Sequence, residues 1–224
     1  LNLDQPIDVT PRKMQAHFLE QRALPLPVIN NLSETNIARF IENNWKVPGL
    51  EVEVVAKRSY PSLSVAHIVG HLKRDNSDQD ESVRYNYRLP DYTGKLGIEK
   101  TFDGYLRGQP GVRLVLVNNL GYRQSDSIPV PPQPGSNVVL TLDLKIQEAA
   151  MKALNETEGK GAAAVVIDVN SGDVIAMVSI PVFDPNQFTP GISHQLWNSY
   201  LAARPSPLIF RATQERYPPG SIFK

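Results

Sequence analysis

Cysteine is absent from all 224 residues, which removes disulfides, zinc–thiolate sites and a cysteine nucleophile together. Charge of one sign is not in excess either. The 23 lysines and arginines balance 23 aspartates and glutamates, so there is no basic footprint for a polyanion, and nucleic acid is not an expected partner. No run approaches the roughly 20 apolar residues of a membrane span, and no basic-then-apolar leader opens the chain. Internal repeats and low-complexity tracts are missing too. Gly104, Gly108 and Gly111 lack the strand-to-helix context of a nucleotide-binding fingerprint.

What is present is ordinary globular material, 41% hydrophobic and 21% charged, in a length that suits one large domain or two modest ones. Met14, Phe18 and Leu19 predict a short helix from about Arg12 to Arg22. Ser33 caps a second, core-facing helix through Ile37, Phe40, Ile41 and Trp45, stopped by Pro48-Gly49. The alternation Leu50-Glu51-Val52-Glu53-Val54 predicts a strand with one wet face, and Val112 to Val117 another. Lys73 to Arg88, dense in polar and charged residues, predicts a mobile surface excursion.

Pro129, Pro131, Pro132 and Pro134 with Gly135 mark Gln124 to Ser136 as a proline-rich linker. The expected organisation is residues 1–123, that linker at 124–136, and a second domain from 137 to 224. Thr141 or Asp143 caps a helix with Ile146, Ala149, Ala150, Ala153 and Leu154 on the face toward a sheet. Ala163 to Val169 and Asp173 to Val178 then flank Asn170-Ser171-Gly172 as a hairpin whose strands are expected to be buried on both faces. The fold class is α+β.

The chemistry is expected at the far end, in Tyr217-Pro218-Pro219-Gly220-Ser221-Ile222-Phe223-Lys224. A bare Ser-x-x-Lys arises about once by chance in a chain of this size, so its context carries the weight. Pro218-Pro219-Gly220 blocks an upstream helix and lets one begin sharply at Ser221. Three residues on, Lys224 then shares a face with Ser221 and, if neutral, takes its proton. The helix end and burial both disfavour the ammonium form, and the Ser221 amide is free to face a developing oxyanion. The alternative is a capped helix start with a solvent-facing lysine.

Two other groups are weaker candidates. His67 and His71 have a metal-like spacing, but Gly70 interrupts and no glutamate follows His67, so both are expected to be structural. Asp168 and Asp173 bracket the hairpin turn and are expected to satisfy local amides.

Beyond its first thirty residues or so, the chain resembles the class B penicillin-binding proteins, closest to their elongation-type members. The resemblance is carried in order by His67-Ile68-Val69-Gly70, Gly94-Lys95-Leu96-Gly97-Ile98-Glu99, Val139-Leu140-Thr141-Leu142-Asp143, Ala164-Val165-Val166-Ile167-Asp168 with Ser171-Gly172, Phe183-Asp184-Pro185-Asn186, and Arg211-Ala212-Thr213-Gln214 ahead of the Ser221 motif. It implies a non-catalytic pedestal followed by the start of a transpeptidase domain of the serine β-lactamase-like fold. Ser221 is the implied nucleophile on the D-Ala-D-Ala end of peptidoglycan stem peptides and Lys224 its general base, with no metal or cofactor. β-Lactams would acylate Ser221. Other implied partners are lipid-linked glycan strands, the scaffold protein MreC and the glycan polymerase RodA. The implied location is the periplasmic face of the inner membrane, with a single-pass anchor expected upstream of Leu1.

The Ser-x-Asn and Lys-Thr/Ser-Gly elements that complete such a site do not occur after Ser221 in this sequence, so the chain as given is expected to be catalytically incomplete. A serine β-lactamase or penicillin sensor, and a non-catalytic scaffold module of the elongation complex, are the competing readings.

Overall fold

The structure, a computed structural model, describes residues 7, 9–43, 49–75, 91–156, 161–189 and 191–223. In chain order the elements are α1 (Pro11–Glu20), α2 (Glu34–Asn43), α3 (Ala66–Val69), β1 (Leu72–Asp75), β2 (Asp91–Gly94), α4 (Gly97–Thr101), α5 (Asp103–Leu106), β3 (Val112–Val117) and β4 (Arg123–Val130). Then follow α6 (Leu144–Asn155), β5 (Ala162–Ile167), β6 (Val174–Ile180), α7 (His194–Ala202) and α8 (Arg211–Gln214). Three antiparallel pairs, β1–β2, β3–β4 and β5–β6, make up the sheets among the described residues. Trp45, Pro48 and most of the expected excursion from Lys73 to Arg88 lie outside those residues. The α+β expectation holds.

The chain divides into two compact units, residues 1–57 with 110–132, and residues 58–109 with 133–224. In the first, Thr10 caps α1 and Pro11 supplies its first turn, as a fixed φ allows. Met14, Phe18 and Leu19 are exposed, and the Arg22 guanidinium lies 4.2 Å over the Phe18 ring. In α2, Phe40 is buried but Ile41 is exposed, so only part of the expected face is inward.

The linker expected at 124–136 is corrected by β4, which pairs with β3 through Val130 despite Pro129. The register shifts between Val112 and Leu114, opposite Ser127 to Val130, so the proline falls where the ladder is already broken. The strand expected at Leu50 to Val54 is also corrected: no strand forms there. Glu51 pairs instead with Arg123, and Glu53 lies 3.1 Å from Arg113, so side chains supply the contacts that a backbone ladder would have made.

The second unit gathers the quoted motifs. Gly70 and Gly97 take φ of +77° and +62°, and a Cβ on Gly70 would fall on the Leu96 carbonyl, so the motifs containing them meet backbone to backbone. Asp143 caps α6 by accepting from the Lys145 and Ile146 amides at 2.8 and 3.1 Å. The inward face of α6 matches the expected one only in part: Ala150 and Leu154 are half-buried, but Ile146, Ala149 and Ala153 are exposed, and the fully buried position is Gln147. Gln147 Nε2 donates to Ser64 O at 2.7 Å and Met177 O at 2.8 Å, and Met177 N donates back to Gln147 Oε1 at 2.8 Å. The amide completes a ladder edge on β6 that a third strand would otherwise fill.

The hairpin β5–β6 forms as expected, but its strands are not equally buried. Ala176, Val178 and Ile180 of β6 are covered, whereas Val165, Val166 and Ile167 of β5 are exposed, because α6 lies mainly on β6. Around Ala66, Phe183 and Phe188 a core forms, with Ile192, Tyr200 and Leu208 against it.

Gln147→Ala leaves the Ser64 carbonyl and both Met177 backbone groups unpaired and opens a void, so a loss of about 3 kcal/mol of unfolding free energy is expected. Ala149→Ser on the exposed face of the same helix is expected to stay within about 0.5 kcal/mol. Urea unfolding of both variants checks this, and equal effects would refute the assigned helix face.

Candidate active site

Pro218 and Pro219 lead into Gly220, whose φ of +54° turns the chain, and Gly220–Phe223 closes a single 3-10 turn with Ser221 exposed. The α-helix expected to begin at Ser221 is therefore a tighter turn starting one residue earlier, since four residues close only the shorter i→i+3 bond. Lys224, the expected base, lies outside the described residues.

The approach to Ser221 is fixed by α8. Arg211 is 2% exposed, and its guanidinium donates to Ser206 O at 2.9 Å and Ile209 O at 3.4 Å. A Cβ on Gly161 would sit 2.9 Å from Arg211 Nε, so a glycine just ahead of β5 leaves room for the cation. Ala212 N donates to Ser179 Oγ of β6 at 3.0 Å. Beyond α8, Glu215 Oε1 lies 3.3 Å from Arg211 Nε, and the Tyr217 hydroxyl donates to Glu215 Oε2 at 2.7 Å. The carboxylate that accepts this bond is the main cause of a raised Tyr217 pKa. Sequence reading assigned no role to Ser179, Glu215 or Tyr217; the i,i+4 spacing of Arg211 and Glu215 was the available signal.

The histidines are held structurally. His67, 5% exposed, donates from Nε2 to Pro207 O at 2.8 Å, stacks on Phe210 at 5.4 Å and meets Phe183 edge-on at 5.3 Å. His71 stacks on Phe188 at 4.0 Å and donates from Nδ1 to Leu72 O. Burial pushes both rings below their usual pKa; the carbonyls partly oppose this, while Arg211 beside His67 and Lys95 beside His71 add to it. Among the described residues no cluster of metal-ligating side chains forms. Asp168 accepts from Asn170 N at 2.8 Å and Asp173 from Ser171 Oγ at 2.9 Å, the local turn roles expected of them.

The remaining motifs are joined by a buried polar chain. Glu99 of α4, 3% exposed, accepts from Arg58 Nε at 2.8 Å and from the Tyr60 hydroxyl at 3.1 Å. Burial, with that carboxylate beside it, holds the Tyr60 phenol well above its usual pKa. The Asn186 side chain clasps Tyr60 from the other side, accepting from its N–H at 3.0 Å and donating to its carbonyl at 2.9 Å. A cleft of about 390 Å³ opens between His67, Leu96, Leu142, Val174, Phe210 and Gln214. A larger one, about 450 Å³, lies along Pro61, Ser64 and the α6 residues Glu148, Met151 and Lys152; neither cleft is lined by Ser221.

Ser221 thus stands exposed on a turn that follows a short helix docked on the β5–β6 hairpin. The chain belongs to the penicillin-binding proteins, matching the penicillin-binding protein dimerisation domain over residues 2–140 and the penicillin-binding protein transpeptidase domain over residues 162–224. It is 38% identical over 229 residues to peptidoglycan D,D-transpeptidase MrdA of Escherichia coli K12, covering 97% of this chain and 36% of that protein. MrdA of Acinetobacter baumannii is 36% identical, over 87% of this chain and 29% of its own length. The chain thus spans about a third of the curated relatives it matches.

Among solved structures, PBP2 of Pseudomonas aeruginosa in complex with WCK 5153 aligns with a TM-score of 0.53 at 34% identity, over 70% of this chain and 31% of that one. A complex of PBP2 and MreC from Helicobacter pylori aligns with a TM-score of 0.62 at 26% identity, over 88% and 36% of the two chains.

Because burial lowers the His67 pKa, the unfolded chain binds more protons than the folded one below the ordinary histidine value of about 6.5. Stability is therefore expected to fall as pH drops below about 6.5, by at most about 1.4 kcal/mol per pH unit from this residue. Melting temperature measured from pH 7.5 to 5.5 checks it: His67→Gln should lower stability at pH 7.5 yet flatten the slope. An unchanged slope would assign the acid sensitivity elsewhere.

Proposed function

We propose that a full-length protein carrying this chain is a serine D,D-transpeptidase of cell-wall elongation, with Ser221 as nucleophile and Lys224 as general base. The observation that supports this most is the exposed Ser221 turn immediately beyond α8, within the stretch matching a transpeptidase domain. Ser221 Oγ attacks the carbonyl of the D-Ala-D-Ala bond while Lys224 takes its proton, and the terminal D-Ala leaves with a proton returned to its nitrogen. An amine of a neighbouring stem peptide then attacks the acyl-enzyme, forming the cross-link and freeing Ser221. β-Lactams present a similar carbonyl and stop at the acyl stage.

The pedestal runs from residue 1 through strand β4, and the proline-rich turns after it lead into the transpeptidase part at 137–224. The partners are proteins of the elongation complex. A PBP2 has been solved with MreC, which supports a scaffold of that kind here, and we extend the proposal to the glycan polymerase RodA and to lipid-linked glycan strands. No described helix is long and apolar enough to cross a membrane. The periplasmic face of the inner membrane, by way of an upstream anchor, is the location that fits this substrate. The dimerisation-domain match over 2–140 favours this reading over a compact β-lactamase or penicillin sensor.

In a full-length protein, Ser221→Ala is expected to abolish covalent labelling by a fluorescent penicillin. Lys224→Ala should slow it about a hundredfold, the usual scale for loss of a general base, with the fold retained. Intact mass spectrometry reads both, and undiminished labelling of Ser221→Ala would overturn the assignment.

A further inference from the structure

We propose that Arg211, acting through Glu215 and Tyr217, is a positioning device that sets where the Ser221 turn sits, an inference that rests on reading Ser221 as the nucleophile. Arg211 is rooted by three independent features. Its guanidinium is buried and bonded to the Ser206 and Ile209 carbonyls, it occupies the space left open at Gly161, and its helix is tied to β6 through Ala212 and Ser179. A cation so placed cannot shift without breaking backbone contacts.

From that fixed point the link runs outward along the chain. Glu215 takes one bond from Arg211 with Oε1 and a second, at 2.7 Å, from the Tyr217 hydroxyl with Oε2. Hydrogen bonds to an ionised carboxylate are shorter and stronger than neutral ones, and here one carboxylate spans a buried cation and an exposed ring. Residues 215–219 are neither helix nor strand, so nothing in their backbone ladder fixes their path. Pro218 and Pro219 then stiffen the last step from Tyr217 to Gly220-Ser221, so a displacement of the tyrosine is passed on to the serine rather than absorbed.

The hydroxyl of Tyr217 has no other partner among the described residues, and its ring is 55% exposed, so it contributes little to the core. Tyr217→Phe therefore removes the last link while leaving the fold alone. Glu215→Gln keeps the shape but loses the charge that both neighbours use.

The experiment is stopped-flow acylation of a full-length protein by a penicillin, separating the non-covalent dissociation constant from the acylation rate constant, with melting temperature as the control. Each single variant should slow acylation about tenfold, because misplacing a reacting group by a fraction of an ångström is costly, while the dissociation constant and melting temperature stay as in wild type. The double variant should be no slower than Glu215→Gln alone, since both substitutions break one link. Acylation within twofold of wild type for Tyr217→Phe, effects that multiply, or a lowered melting temperature with unchanged acylation would each overturn the proposal. Wild-type protein that is acylated elsewhere than Ser221 would instead remove the functional reading on which it rests.

Discussion

The second unit depends on one fully buried side-chain amide. Gln147 holds a carbonyl of the turn at Ser64 and both polar groups of Met177, so α6, the segment leading into α3 and strand β6 are fastened at one point. A buried amide of this kind is directional where apolar packing is not, and it fixes register as well as proximity. Everything beyond follows from β6 being held. Ser179, two residues past Met177, receives α8, and the segment after α8 leads to Ser221. Apolar burial supplies the cohesion, but the polar clamp decides which residue faces which.

A second polar centre, around Glu99, works in the same manner. Glu99 is almost wholly removed from water, which would be costly alone, yet Arg58 and the Tyr60 hydroxyl both satisfy it. Asn186 closes on the Tyr60 backbone as a strand neighbour would. The motifs around Glu99 and Asn186 are thus joined through Tyr60, whose backbone bonds to Asn186 span 126 residues of sequence. Neither end would be placed by its own local preferences.

Local signals were readable wherever the chain answers to its near neighbours. The Asp143 cap, the Asn170-Ser171-Gly172 turn and the structural histidines all follow from spacing and side-chain chemistry. Long-range choices were less legible. The face of α6 was partly misjudged because alanines and Ile146 mark an apolar stripe, while the fully buried position goes to a glutamine whose partners lie far off in sequence. Pro129 suggested a linker because a proline cannot donate; the ladder in fact steps past it at a bulge. At the candidate site, the serine was visible from the motif, while the helix expected to begin at it is a 3-10 turn. The support beneath it, Arg211 to Glu215 to Tyr217, needed the fold to show that the arginine is buried.

The pairing of Gln109 with Gln133 has a bearing on how this architecture tolerates change. Each residue donates its amide to the other's carbonyl at 2.9 Å, so the chain leaves the second unit and rejoins it at a single closed gate. Gly108 and Gly135 let the backbones come together there, since a side chain on either would strike main-chain atoms of the returning segment or of the turn before it. Residues 110–132, which belong to the first unit, therefore lie in the sequence between two segments of the second. Lengthening a loop within that stretch costs only the slowly growing entropy of closing a longer loop, and it leaves the Gln109–Gln133 pairing as it was. Such a loop can thus vary in length while Gln109 and Gln133 stay paired.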